Sequence, residues 1–442
     1  MAKITFIGAG STVFMKSILA DILLEPELNS FDIALHDIDP KRLKTSQIVA
    51  DNIRKSLKAP ASINTTLVRK EALKGADFVI VMIQVGGYEP STVIDFEIPA
   101  KYGLQQTIAD TLGIGGIMRG LRTVPVLVEI AEEMLELCPR AMMLQYVNPM
   151  AINCLGLSHF VPELRYVGLC HSVQGTVADL ARDIGEDFNK IEFECSGINH
   201  MSFFTKFAKK LNNGSTEDLY PKIFQKGETG DFGTNWDGCS NKVRYEVLKK
   251  LGYFVTESSE HFAEYTPWFI KSHQKDLIRK FDIPINEYIR RCEKQILEWD
   301  KQEKDMLSNP KIDNNKSVEY ASRVILSMIT GKKDIIYGNV LNTNLIPNLP
   351  NNSCVEVPCV VQEDDLVPQV VPPLPIHLAN LIQTNISVQQ LTVEALKTRK
   401  KDSIYYAAML DPHTAGELNL DQIWKMVDEL IDAHGSMLPA FK

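Results

Sequence analysis

The chain has 442 residues, 45% of them hydrophobic and 23% charged, with a formal charge of −9, which describes a globular protein of more than one domain. The acidic balance argues against a nucleic-acid partner, which clustered Lys and Arg would meet. The most apolar region, 141–161, is broken by Gln145, Asn148, Pro149, Asn153 and His159, so it lacks the roughly 18 uninterrupted apolar residues of a membrane span. The chain enters its first strand without the apolar core of a signal peptide, and its eight cysteines are too scattered for a disulfide scaffold. A cytoplasmic protein with mostly free, core-packing thiols is expected.

Ile4-Thr5-Phe6-Ile7 is a short apolar strand, Gly8-Ala9-Gly10-Ser11 a tight turn, and 13–24 carries helical apolar spacing. Strand, glycine turn and helix are the opening of a Rossmann unit. A second strand, 32–36, ends at Asp37, where a carboxylate would hold a ribose hydroxyl and repel a 2′-phosphate, favouring NAD over NADP. The turn departs from G-x-G-x-x-G because Val13 occupies the third glycine's place, and a nucleotide-free α/β domain is the alternative. A helix over 40–57 leads to 77–83, a near-continuous apolar run suited to a parallel strand buried on both faces. Gly86 and Gly87 follow it and would let the backbone approach a cofactor at the carboxyl edge of the sheet.

Helical spacing over 122–137 precedes a buried strand at 141–147, which ends in Asn148-Pro149. The Asn148 amide suits a nicotinamide ribose and a sugar hydroxyl, and it equally suits a turn that starts the next helix. A strand at 166–169 delivers Cys170 and His171 to the same edge, and a strand-like run at 191–197 leads to His200. Cys170 and His200 form a candidate metal pair with positions open for substrate oxygens; buried structural residues are the other reading. Beyond residue 195 the alternation becomes irregular. The Gly-, Asn- and Asp-rich stretch 210–236 reads as a surface loop, 286–306 as a charged helix, 347–375 with its seven prolines as extended chain, and 421–433 as an amphipathic helix.

As a whole the chain resembles the NAD- and metal-dependent family 4 glycoside hydrolases, and within them the α-galactosidase (melibiase) branch. The resemblance is carried by Gly8-Ala9-Gly10-Ser11, Ile108-Ala109-Asp110-Thr111-Leu112-Gly113 with Gly115-Gly116, Tyr146-Val147-Asn148-Pro149-Met150, Gly168-Leu169-Cys170-His171-Ser172, Gly197-Ile198-Asn199-His200, Glu257-Ser258-Ser259-Glu260-His261, Val355-Glu356-Val357-Pro358 and Asp411-Pro412-His413-Thr414. It implies an α/β fold like that of lactate and malate dehydrogenases. A Rossmann-type doubly wound parallel sheet over 1–195 would be followed by a mixed α/β domain over 196–442 for substrate binding and oligomerisation. It implies hydrolysis by C3 oxidation with bound NAD, C2 deprotonation, elimination of the aglycone, water addition and re-reduction, outside the usual two-carboxylate scheme.

The resemblance further implies Mn2+ or another divalent metal on Cys170 and His200, and a homodimer or homotetramer. Asp110, Asn148, His171 and Asn199 are then the substrate contacts, with Gly8, Gly10, Ser11, Asp37, Gly86 and Asn148 on the cofactor. Tyr265 is the expected base, with His261 next, and His171 the expected acid to the leaving group; Tyr265 with Trp268 also reads as an aromatic wall for the sugar. No Arg or Lys cluster accompanies these motifs, and Glu257, Glu260 and Glu264 make their segment acidic, so unphosphorylated α-galactosides such as melibiose are expected. The rivals are a 6-phospho-glycosidase or α-glucosidase of the same family, a lactate/malate-type dehydrogenase, whose His/Asp relay and arginine clamp are not signalled here, and a silent NAD-binding regulator, which has no chemical reason to keep Cys170, His200 and Asn148 together.

Overall fold

The computed structural model describes residues 2–235, 238–308 and 316–442. Its strands, in chain order, are β1 Lys3–Ile7, β2 Asp32–His36, β3 Ser62–Thr66, β4 Phe78–Val81, β5 Met142–Gln145, β6 Tyr166–Leu169, β7 Ile191–Ile198, β8 Met201–Lys210, β9 Thr216–Asp218, β10 Asp334–Leu341, β11 Cys354–Gln362 and β12 Asp365–Pro368. They form one sheet in the order β3-β2-β1-β4-β5-β6-β10-β11-β7-β8-β9, with β12 paired to β11. β1 to β6 are parallel throughout, and their order, 3-2-1-4-5-6, is that of a doubly wound dinucleotide fold. From β10 onward every pairing is antiparallel. The two regimes meet where β10 lies against β6, with Gly338 opposite Leu169 and Asn339 opposite Gly168.

Helices cover the parallel half, so all four residues of β4 and all four of β5 are buried, and such strands must be apolar on both faces. Asp39 caps the helix Pro40–Ser56 by accepting from the backbone N–H groups of Lys41 and Arg42, with proline in the first turn. The helices Glu287–Ser308 and Leu420–His434 lie close to their expected bounds. The latter opens with an Asn419/Gln422 capping box.

Three segments differ from the sequence expectation. The helix expected at 122 begins at Gly113. Its glycines look like loop residues but are needed for contact: a Cβ on Gly116 would come 2.8 Å from the Thr111 carbonyl oxygen, and one on Gly115 would overlap the Ala109 carbonyl. The expected loop 210–236 contains β9 and a helix, Tyr220–Glu228, whose Ile223 is buried together with the preceding Leu219; Trp236, at its end, lies outside the described residues. A 23-residue helix, Ile376–Thr398, was not anticipated. Its inward face includes the buried polar residues Asn385, Gln389 and Thr392, which blur the apolar period. All eight cysteines are free thiols, six of them buried. Among the described residues, no helix is long and apolar enough to cross a membrane.

Candidate active site

Because β1, β2, β4, β5 and β6 run parallel, the residues that follow them leave the sheet at one edge. Gly8 and Gly10 follow β1, Asp37 follows β2, Gly86 follows β4, Asn148 follows β5 and Cys170 follows β6. The glycine turn folds back onto β2: the N–H groups of Gly8 and Ala9 donate to the His36 carbonyl at 3.0 and 2.9 Å, and the Gly10 N–H donates to Asp37 Oδ2 at 2.7 Å. A Cβ on Gly10 would stand 2.6 Å from that same oxygen. Ser11 is exposed, and its side chain makes no capping bond to the helix Thr12–Leu24. Gly86, at φ +80°, is held by its own turn, since a Cβ there would overlap Ser91; its place at the edge is as expected, and its close neighbours are Ser91 and Met437.

The chemistry gathers next to β6. The tight turn between β7 and β8 puts His200 in a left-handed conformation, φ +64°, with Nε2 3.3 Å from Cys170 Sγ. Glu257, also left-handed at φ +66°, brings Oε2 to 3.5 Å from the same nitrogen. One ligand atom from each of Cys170, His200 and Glu257 lies within 4.8 Å of the others, and all three residues are buried. These three convergent donors, one thiol, one imidazole and one carboxylate, are a group that could hold a metal ion.

Around this cluster the other candidates form a contiguous chain. His200 Nδ1 is 3.3 Å from the Tyr265 hydroxyl. Glu257 Oε1 is 3.6 Å from His261 Nδ1, which also lies 2.6 Å from the Ser258 hydroxyl. His261 Nε2 is 3.9 Å from Asp110 Oδ1, and the Asn148 amide donates to Asp110 Oδ2 at 3.1 Å. Asn199 is fully buried beside Glu356. His171, next to Cys170 and lining a small cavity with Glu257, has its Nδ1 3.3 Å from Glu319 Oε1.

These contacts set the charge of each group. Burial opposes ionisation of Glu257, but His200, His261 and His171 outweigh it and hold the carboxyl at about 2. Burial pushes the Cys170 thiol up to about 12 and the Tyr265 phenol well above its ordinary value. Burial also lowers His261, against the pull of Glu257. His171 behaves oppositely: despite burial, the Glu319 hydrogen bond raises it to about 10, so it carries a proton at neutral pH. Asp110 is kept ionised against burial by Arg119, His261 and His200.

Sequence reasoning used Glu257 only as one of three acids in an acidic segment, not as a metal ligand, and assigned no role to Glu319 or Arg119. Glu257 had a signal, standing directly before the helix-capping Ser258 in the segment that holds His261; Glu319 had none. Nor do the three acids of that segment form one acidic wall. Glu260 pairs with Arg291 at 2.8 Å, Glu264 is occupied by backbone N–H groups, and only Glu257 faces the metal-ligand cluster.

Comparison with known proteins gives the family and the fold. Residues 3–186 match the description "Family 4 glycosyl hydrolase" and residues 195–414 its C-terminal domain. The chain is 49% identical over 442 residues to an α-galactosidase of Bacillus subtilis, covering all of both chains. In fold it is similar to a 6-phospho-α-glucosidase from gut microorganisms solved with NAD and Mn2+, with a TM-score of 0.81 at 19% identity and full coverage of both chains. It is also similar to malate dehydrogenase of Cryptosporidium parvum, with a TM-score of 0.54 at 15% identity over 90% of this chain and 99% of that one.

Proposed function

The chain belongs to family 4 of the glycosyl hydrolases, and from that premise we propose that it is an NAD- and divalent-metal-dependent α-galactosidase acting on unphosphorylated α-galactosides such as melibiose. The full-length similarity to an α-galactosidase supports the sugar. The observation that carries the chemistry is the buried Cys170, His200 and Glu257 cluster at the edge reached by the Gly8 and Gly10 turn. The residues present fit both groups: three convergent donors of mixed softness suit a divalent cation, and a glycine turn bonded to Asp37 at the end of β2 suits NAD. Residues 1–195 are the nucleotide-binding half, and 196–442 the half that binds sugar and assembles homodimers or homotetramers.

When bound, NAD+ supplies a reversible hydride acceptor for sugar C3, and Mn2+ or a similar ion supplies Lewis acidity at the adjacent oxygens. Gly8, Gly10, Ser11 and Asp37 hold the nucleotide, with Gly86 beside it. Asp110, Asn148 and Asn199 fix sugar hydroxyls. Tyr265 takes the C2 proton, and His261 is the second base. Burial and the neighbouring Glu264, Asp110 and Glu257 keep the free phenol protonated, and a divalent cation held by Cys170, His200 and Glu257 would favour the phenolate. His171, charged at neutral pH, donates its proton to the departing oxygen at C1.

Purified protein given NAD+ and Mn2+ should release p-nitrophenol from the α-galactoside without accumulating NADH. Galactose released in D2O should carry deuterium at C2. Product with only protium at C2 would replace this chemistry with direct acid/base displacement. A kcat/KM tenfold higher for the 6-phosphate, about 1.4 kcal/mol of transition-state binding, would overturn the substrate assignment.

A further inference from the structure

Glu264 ends the short helix Ser259–Glu264 that carries His261, directly before Tyr265. It is 3% exposed. Its side chain does not face the metal-ligand cluster; it receives three consecutive backbone donors from a different segment. The Thr107 N–H reaches Oε2 at 2.8 Å, the Ala109 N–H reaches Oε1 at 2.8 Å, and the Ile108 N–H sits 3.3 Å from both oxygens. Ala109, the last of the three donors, is left-handed at φ +53°, so the chain turns directly after its N–H, at the step into Asp110. Three N–H groups gathered on one carboxyl make a backbone anion-binding concavity, a nest, here filled by the protein's own carboxyl group, which burial raises to about 7 against those N–H bonds.

The segment is held from its other sides as well. The Thr107 hydroxyl donates to the Glu260 carbonyl at 2.7 Å, His413 Nε2 lies 2.7 Å from the Gln105 carbonyl, and the Ala109 carbonyl packs against Gly115. The residue directly after Ala109 is Asp110, the carboxylate next to Asn148 and His261. One buried side chain thus joins the helix of His261 and Tyr265 to the loop of Asp110.

We propose that Glu264 is a positioning residue: by filling the nest at Thr107–Ala109 it holds the left-handed turn that aims Asp110 at the sugar and fixes that turn relative to Tyr265. The proposal rests on the reading of this site as the glycosidase centre. Gln in place of Glu264 keeps the shape but has one acceptor oxygen for three donors, and its amide N–H2 group opposes them. Ala leaves the nest empty and open to a small carboxylate.

The experiment compares Glu264→Gln, Glu264→Ala and Asp110→Asn, alone and combined, by kinetics on p-nitrophenyl α-galactoside, by NAD+ and Mn2+ affinity, and by amide hydrogen exchange. We expect Glu264→Gln to lose at least about 30-fold in kcat/KM while binding NAD+ and Mn2+ within threefold of wild type, and to cost less than threefold more once Asp110→Asn is present. Formate should restore Glu264→Ala at least tenfold and Glu264→Gln not at all. Amide exchange at Thr107–Ala109 should quicken in Glu264→Gln.

Wild-type kcat/KM in a folded Glu264→Gln, additive losses with Asp110→Asn, or unchanged exchange at Thr107–Ala109 would overturn the proposal. If Glu264→Ala does not fold, the Glu264→Gln double-mutant cycle decides. A wild-type protein inactive on every glycoside would instead defeat the functional reading, and amide exchange would still judge Glu264.

Discussion

Glu257→Gln tests the metal cluster most directly, because it removes charge with little change of shape. The carboxyl sits at about 2 instead of its ordinary 4.5, a preference for the charged form of about 3 kcal/mol at about 1.4 kcal/mol per pKa unit. The ionised carboxyl is one of three donors that would face a cation there, and a neutral amide withdraws that charge from it. Mn2+ affinity at pH 7 should therefore fall about 100-fold, since about 2.7 kcal/mol corresponds to two decades. Electron paramagnetic resonance of free Mn2+ during titration measures it, with NAD+ binding followed by fluorescence as the check on folding. Mn2+ affinity within threefold of wild type, in a variant that binds NAD+ normally, would refute Glu257 as a ligand.

Cys170→Ala should abolish Mn2+-dependent turnover and spare NAD+ binding. Because the thiol begins at about 12, wild-type Mn2+ affinity should rise about tenfold per pH unit, with one proton released per ion taken up, as calorimetry in buffers of different ionisation heat would register. Gly10→Ala should weaken NAD+ by about 10- to 100-fold, because the new Cβ displaces the Asp37 carboxylate; equilibrium dialysis measures this, and Mn2+ affinity should stay unchanged. In the metal-free protein, the stability supplied by Glu257 is present above pH 4.5 and lost as pH falls toward 2, because its folded pKa is depressed. The gap in urea midpoint between wild type and Glu257→Gln should then narrow from pH 5 to pH 3.

The parts legible in the sequence were those whose chemistry is local. The Gly8 to Ser11 turn, Asp37 and the buried run at β4 announce themselves by glycine, charge and apolar pattern within a few residues. Cys170 and His200 were legible as a pair because each follows a strand. β3, with sequence Ser-Ile-Asn-Thr-Thr, has no fully buried residue and so little apolar signature; it pairs with β2 at the sheet's edge, with Ile63 packed against the core. Glu257 and Glu319 gain their meaning from partners far along the chain, His200 and His171, and no spacing rule reports such contacts. The helix Ile376–Thr398 was hidden because its buried face includes polar residues: the Asn385 amide donates to the Tyr265 carbonyl at 3.2 Å and the Thr392 hydroxyl to the Val388 carbonyl at 2.8 Å.

The seam between β6 and β10 has a consequence for how the enzyme works as a machine. Strands from the two halves pair directly, at Gly168 with Asn339 and Leu169 with Gly338, one residue before Cys170. Opening the molecule like a jaw would tear this ladder directly beside Cys170. Large hinge motion is thus unavailable at the point where enzymes with two separately sheeted lobes use it. The spacing between the strand ends that carry Gly10 and Asp37 and the Cys170, His200 and Glu257 cluster is therefore set once, when the chain folds.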